Sequence, residues 1–150
     1  MIDRLLKAFG LNEEAETTEA EGKRVQHSTA VLLIEIARAD SDRLDVEREA
    51  MLAALTEYFP LSADEAAEVL SKAEVAAENS VSLHEFTNLL HSELSYDEKE
   101  QIVEMLWRIA LADKQLDKYE DYMIGKISEL LYVARGDVIR LKHRVYQSLK

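Results

Sequence analysis

Leu33-Ile34-Glu35-Ile36-Ala37-Arg38-Ala39-Asp40 lies over Leu106-Trp107-Arg108-Ile109-Ala110-Leu111-Ala112-Asp113 when the chain is slid against itself by about 73 residues, with identity at Leu, Ile, both Ala and the closing Asp. In each copy apolar residues fall on nearly every side of a helix: Val25 and Ala30 to Ile34 with Ile36 and Ala37 in the first, Ile102 and Val103 with Met105 to Trp107 and Ile109 to Ala112 in the second. A helix of that kind belongs in the middle of a molecule. Each copy then enters an acidic turn and an amphipathic helix. Removing one residue from the first turn pairs Leu44-Asp45 with Leu116-Asp117, Met51 with Met123, Leu55 with Ile127 and Glu57 with Glu129. The pattern predicts an all-α fold, a helical bundle of about seven to eight helices, built from two repeats related by a pseudo-two-fold axis. That symmetry would bury the two central helices against each other and bring the two acidic turns close together.

The rest of the chain agrees with an all-helical reading. Only four Gly and one Pro punctuate 150 residues, and 47% of the chain is hydrophobic, which fits one domain of long helices and short polar turns. Amphipathic helices are expected at about 45–58, 62–78, 82–92, 117–131 and 135–149. Four helix starts carry the reciprocal box in which a capping oxygen and an acid three residues on satisfy each other's amides: Ser62/Glu65, Ser82/Glu85, Ser95/Glu98 and Asp117/Glu120. Ahead of the first central helix, Ile2, Leu5, Leu6 and Phe9 share one stripe, and Gly10 is a natural stop. Residues 12–22 hold five Glu and no large apolar side chain, so residues 1–22 read as a short amphipathic helix plus an acidic linker, and 23–150 as the helical domain.

The Ala-Asp turns followed by Leu-Asp, their duplication, and the stretches Phe59-Pro60-Leu61-Ser62 and Met105-Leu106-Trp107-Arg108-Ile109-Ala110 resemble the tellurite-resistance TerB-like family over about residues 25 to 145. The resemblance implies a compact all-α, non-catalytic module of stress or metal resistance, similar also to a part of membrane-anchored J-domain co-chaperones. It further implies a divalent-metal site among the acidic turn residues. This chain departs from the family pattern at Ser41 and Lys114, where Gly usually follows Ala-Asp. It departs again at Arg48, where the acid found as Glu120 in the second half is missing, flanked by Glu47 and Glu49.

The turn acids have a chemistry of their own. Asp40, Asp42, Asp45 and Glu49 in one half, and Asp113, Asp117, Glu120 and Asp121 in the other, present only oxygen ligands, the set preferred by calcium, magnesium or manganese. Brought together they would repel one another, and a cation would relieve that repulsion. The same residues also suit plainer work: Asp45 and Asp117 stand at helix caps, and Glu49, Glu120 and Asp121 lie in first turns where the helix dipole favours negative charge.

Other chemistries find little support. Zero Cys excludes disulfides, thiolate zinc sites and thiol catalysis. Counting back from Glu85, the calcium-ligand positions of an EF-hand loop hold Glu74, Ala76 and Glu78, with Asn79 where Gly is needed, and Asp40-Ser41-Asp42 would put Met51 at the bidentate acid. His84-Glu85 is followed by Asn88 where a helical zinc motif needs His, and His84 and His91 share a face without a third ligand. No glycine-rich phosphate loop and no framed nucleophile appears, so the reading is not an enzyme.

Charge points the same way. With 18 Lys+Arg against 30 Asp+Glu the net charge is −12, which argues against a nucleic-acid partner. Residues 135–150 reverse the balance, with five bases and one acid, so this helix either packs its bases on the acidic body or docks on a membrane surface or an acidic partner. The absence of Cys and of a signal-like N-terminus makes a cytoplasmic location the expectation, with peripheral membrane contact through either terminal helix as the variant. Together these readings predict a cation-binding interaction domain with a protein partner, and as the alternative a structural adaptor whose acids are only caps.

Overall fold

The computed structural model describes residues 2–38, 44–80, 82–112 and 116–149, with side chains described from Ala20 onward and, after the first turn, from Glu47. The described residues form seven helices and no strand: α1 (Ile2–Ala37), α2 (Leu44–Tyr58), α3 (Ala63–Asn79), α4 (His84–Glu93), α5 (Tyr96–Ala110), α6 (Lys118–Leu130) and α7 (Arg135–Ser148). The all-α bundle read from the sequence is the fold observed.

The two quoted stretches become the C-terminal part of α1 and the body of α5, and these helices pack against each other. Burial along them follows one pattern. Ala30 to Ile34, Ile36 and Ala37 are buried in α1, as are Val103 to Trp107, Ile109 and Ala110 in α5, while Glu35 and Arg108 are half-buried. α2 lies on both α1 and α5, and so does α6. Around this centre α3 and α4 cover α1, and α7 covers α5.

Burial keeps the spacing of 73 residues through the acidic turn. Glu47, Met51, Ala54 and Leu55 are buried in α2, and Glu120, Ile124, Ile127 and Ser128 in α6. The sequence register that removed one residue pairs Met51 with half-buried Met123 and would set Ala54 against exposed Lys126. Which face a helix buries thus corrects that register by one residue.

α1 differs from expectation at its start. It runs unbroken through Gly10 and the acidic stretch, 36 residues or roughly 54 Å of helix. Glu and Ala are strong helix formers and no Pro interrupts them, so propensity carries the helix where periodicity showed nothing to bury.

Three of the four capping boxes form. Ser62 with Glu65, Ser95 with Glu98 and Asp117 with Glu120 open α3, α5 and α6. The fourth does not. Leu83 takes helical angles and becomes the residue before α4, so Ser82 sits one place too early and its Oγ accepts from the His84 amide at 3.1 Å, with Glu85 out of reach of the box. α7 has no capping side chain of its own at Ala134. Tyr96 of α5 substitutes: its hydroxyl accepts the Ala134 amide at 2.9 Å and donates to Asp137 Oδ2 at 2.6 Å. Asp137 holds the Tyr96 phenol above its ordinary pKa.

α6 ends in a Schellman turn, with the Val133 amide donating to the Ser128 carbonyl and the Tyr132 amide to that of Glu129, both at 3.0 Å. The turn needs a left-handed residue, and here it is Tyr132 at φ 62° instead of Gly. The Tyr132 ring lies against His91 with centroids 4.4 Å apart, which fastens the α6–α7 corner to α4.

Candidate cation site at the acidic turns

The site begins with two carboxylates that the bundle buries. Glu47 is 1% exposed and Glu120 0%, each in the first turn of an amphipathic helix, on the same stripe as the core residues that follow it. Burying an ionised carboxylate is expensive unless donors or cations meet it. Glu120 Oε1 accepts the Asp117 amide at 3.4 Å, and Asp117 Oδ1 accepts the Tyr119 amide at 3.2 Å, so both residues also order the start of α6.

The remaining candidates divide. Asp40, Asp42 and Asp113 lie outside the described residues, and Asp45 belongs to α2 with its side chain outside them too. Glu49 is exposed on α2. Asp121 is exposed and meets Lys142 Nζ at 3.1 Å, a link between α6 and α7. Among the described residues no three His, Asp or Glu side chains gather as a metal cluster. Glu47 is not among the candidates the sequence offers, where it stands only as a neighbour of Arg48. The available signal was its spacing of four from Met51 and seven from Ala54, which sets it on the buried stripe.

A cleft of about 330 Å³ lies between the end of α1, the end of α3 and the start of α6. Glu35 and Arg38 from the last turns of α1 line it, with Ala77, Glu78 and Ser80 from the end of α3 and Tyr119 from the first turn of α6. The chain leaves α1 for the first acidic turn here, and enters α6 from the second here as well.

At the far end of α2 a different cluster forms. Arg108 of α5 reaches Glu104 at 3.5 Å and stands beside Tyr58 and Glu57. Burial pushes the Tyr58 phenol up, and the Glu104 carboxylate pushes it further. Burial works against the Arg108 charge, but Tyr58, Glu104 and Glu57 outweigh it and hold the guanidinium more firmly protonated. This arrangement joins α2 to α5.

The basic tail is largely occupied by the body. Val138, Leu141 and Val145 are buried, while Arg140 pairs with Glu100 and Lys142 with Asp121. Arg144 stands 3.9 Å from Glu104, and Lys142 lies 5.2 Å from the centre of the Trp107 ring. Among the described residues no helix is long and apolar enough to cross a membrane.

His91 and Lys99 are hydrogen-bonded through Nδ1, His27 tilts on Phe86 at 6.2 Å, and His84 opens α4.

No match is found among curated proteins or among solved structures. The family model described as tellurite resistance protein TerB matches residues 26–143, from the middle of α1 to the last turns of α7. That span takes in both central helices, both acidic turns and both buried glutamates. The chain belongs to the TerB tellurite-resistance family.

Proposed function

We propose that this TerB-family chain is a non-catalytic domain that binds a divalent cation between its acidic turns and passes the bound state to a protein partner. The observation that carries the reading is the matched pair of buried carboxylates, Glu47 and Glu120, each entering its helix from an Asp-rich turn, with the first turn of α6 beside the last turn of α1. Calcium, magnesium and manganese fit this all-oxygen donor set. Glu47 and Glu120 would face the ion from the helix starts, Asp117 would order the start of α6 beside them, and Asp40, Asp42, Asp45 and Asp113 would close over it from the turns. A cation there neutralises part of a −12 chain and couples its own binding to the order of the turns. The two helix pairs are taken as equivalent halves, and the shared burial spacing of 73 residues supports that. Glu49 and Asp121 lie on the outer faces of α2 and α6, where they add charge around the site.

A second reading keeps the domain as a structural adaptor whose acids only cap helices. The box at Asp117 favours it. The membrane form of that reading is weakened at the C-terminus, where α7 spends its bases on the body.

Thermal unfolding of metal-stripped protein, titrated with calcium, magnesium, manganese and zinc, separates the two. The cation reading expects a saturable, selective rise of roughly 5–10 °C at about a hundred times Kd. The Asp45→Asn/Asp117→Asn variant should lose that rise. A variant that is merely less stable, in a protein no cation stabilises, would assign these residues to capping and remove the site.

A further inference from the structure

A larger cleft, of about 810 Å³, lies between the middle of α1, the end of α3 and the start of α4. Its volume falls in the range of small-molecule sites. Its chemistry runs against the rest of this acidic chain. Arg24, His27 and His84 line it, with Glu85 the single acid among the lining residues. Arg24 makes no ion pair among the described residues, whereas Arg38, Arg48, Lys72, Arg108, Arg140 and Lys142 are all paired with acids. Phe86 and Leu89 supply an apolar wall on the α4 side.

Two features aim polar groups inward. Ser28 is 3% exposed and lines the cleft, yet its hydroxyl has no hydrogen-bond partner among the described residues, although neighbouring Thr29 bonds the Val25 carbonyl at 2.8 Å. With no protein partner, the hydroxyl is left to whatever occupies the cleft, and a ligand acceptor there would take its hydrogen bond. The ten-residue helix α4 also begins at this cleft, so its positive dipole end lies beside the same space. An acceptor with negative charge meets all of these groups at once. An apolar or aromatic body attached to it would lie on Phe86 and Leu89.

We infer that this cleft binds a small amphipathic anion, a phosphate- or carboxylate-headed molecule with an aromatic or apolar body, its head held by Arg24, Ser28 and the start of α4. This site is separate from the acidic turns. Of its lining residues only Ser80 also lines the smaller cleft, and the inference does not depend on the cation reading.

Titration of the full isotope-labelled chain with phenyl phosphate, followed by amide NMR, tests it. The expected result is saturable shifts centred on Ser28, His84 and Phe86, with inorganic phosphate and benzyl alcohol each binding at least about tenfold more weakly, since each offers half of the interaction. Ser28→Ala, a small change inside α1, and Arg24→Glu, an exposed change, should each weaken phenyl phosphate by about tenfold. Their unperturbed spectra elsewhere would report that the fold is intact. Benzyl alcohol binding as tightly as phenyl phosphate, affinity unchanged in both variants, saturable shifts centred elsewhere, or no saturable shifts at all would each overturn the inference.

Discussion

The helix pairs α1–α2 and α5–α6 bury the same positions at the same spacing, yet the molecule covers them by different means. α1 is covered by α3 and α4, whose contributions are Ala66, Leu70, Ala73 and Ala77 from one and Phe86 and Leu90 from the other. The buried residues of α3 are all apolar and mostly small, and Thr87 is the one buried polar side chain that α4 adds. α5 is covered by α7 through a thinner apolar stripe of Val138, Leu141 and Val145, supplemented by polar latches. Trp107 Nε1 donates to the Val138 carbonyl at 3.0 Å, Tyr96 caps α7 from outside, and three bases of α7 meet acids of α5 and α6. One central pattern therefore accepts two kinds of cover, and only the second depends on charge and directed hydrogen bonds.

The largest effects test whether the centres are equivalent. Leu33 and Leu106 are both fully buried at matching positions, so Leu33→Ala and Leu106→Ala should each cost about 2–5 kcal/mol in urea unfolding, and by similar amounts. A large difference would break the equivalence. Next comes the latch. Trp107→Phe removes the indole donor that the Val138 carbonyl accepts in addition to its helical one and offers Lys142 a weaker ring, at a cost of about 1–2 kcal/mol. Hydrogen exchange in this variant should quicken in α7 and stay slow in α3. Equal quickening in both would show that the two covers fail together.

The smallest expected effect separates the halves by pH. Tyr58 is raised above its ordinary value by burial and then by Glu104, and its counterpart 73 residues on is the apolar Leu131. A folded value above the unfolded one gives stability that is complete below about pH 10 and is lost as pH rises through the folded value. Tyr58→Phe should flatten that alkaline limb of the stability profile. A Leu131→Val change, made as a control, should lower stability equally at every pH.

Much of this was legible in the sequence because burial is written in spacing. The central helices, the amphipathic helices after them and three capping boxes follow from apolar periodicity and from Ser or Asp set three residues before Glu. Misreadings occurred where spacing carries no such information. In residues 12–22 the absence of apolar side chains looked like a linker, although Glu and Ala favour a helix with nothing to bury. At α4, Ser82 and Glu85 have the right separation, but the helix starts one residue later than the box requires. Glu47 stays hidden in the sequence because an alignment of the acidic turns through their Leu-Asp pairs sets it off the buried stripe of α2. The larger cleft was illegible for another reason: Arg24, Ser28 and His84 lie on elements that only the folded chain brings together.

The proposed function places one cation site between the acidic turns, with Glu47 and Glu120 at its heart. Titration of the labelled, metal-stripped chain with manganese, whose unpaired electrons broaden nearby amide signals, tests it most directly. Saturable broadening is expected at one equivalent of manganese, appearing together at the first turns of α2 and α6 and lost in Glu47→Gln/Glu120→Gln. Broadening at only one of the two turns, or spread without saturation over exposed acids such as Glu68 and Glu78 on α3, would contradict it.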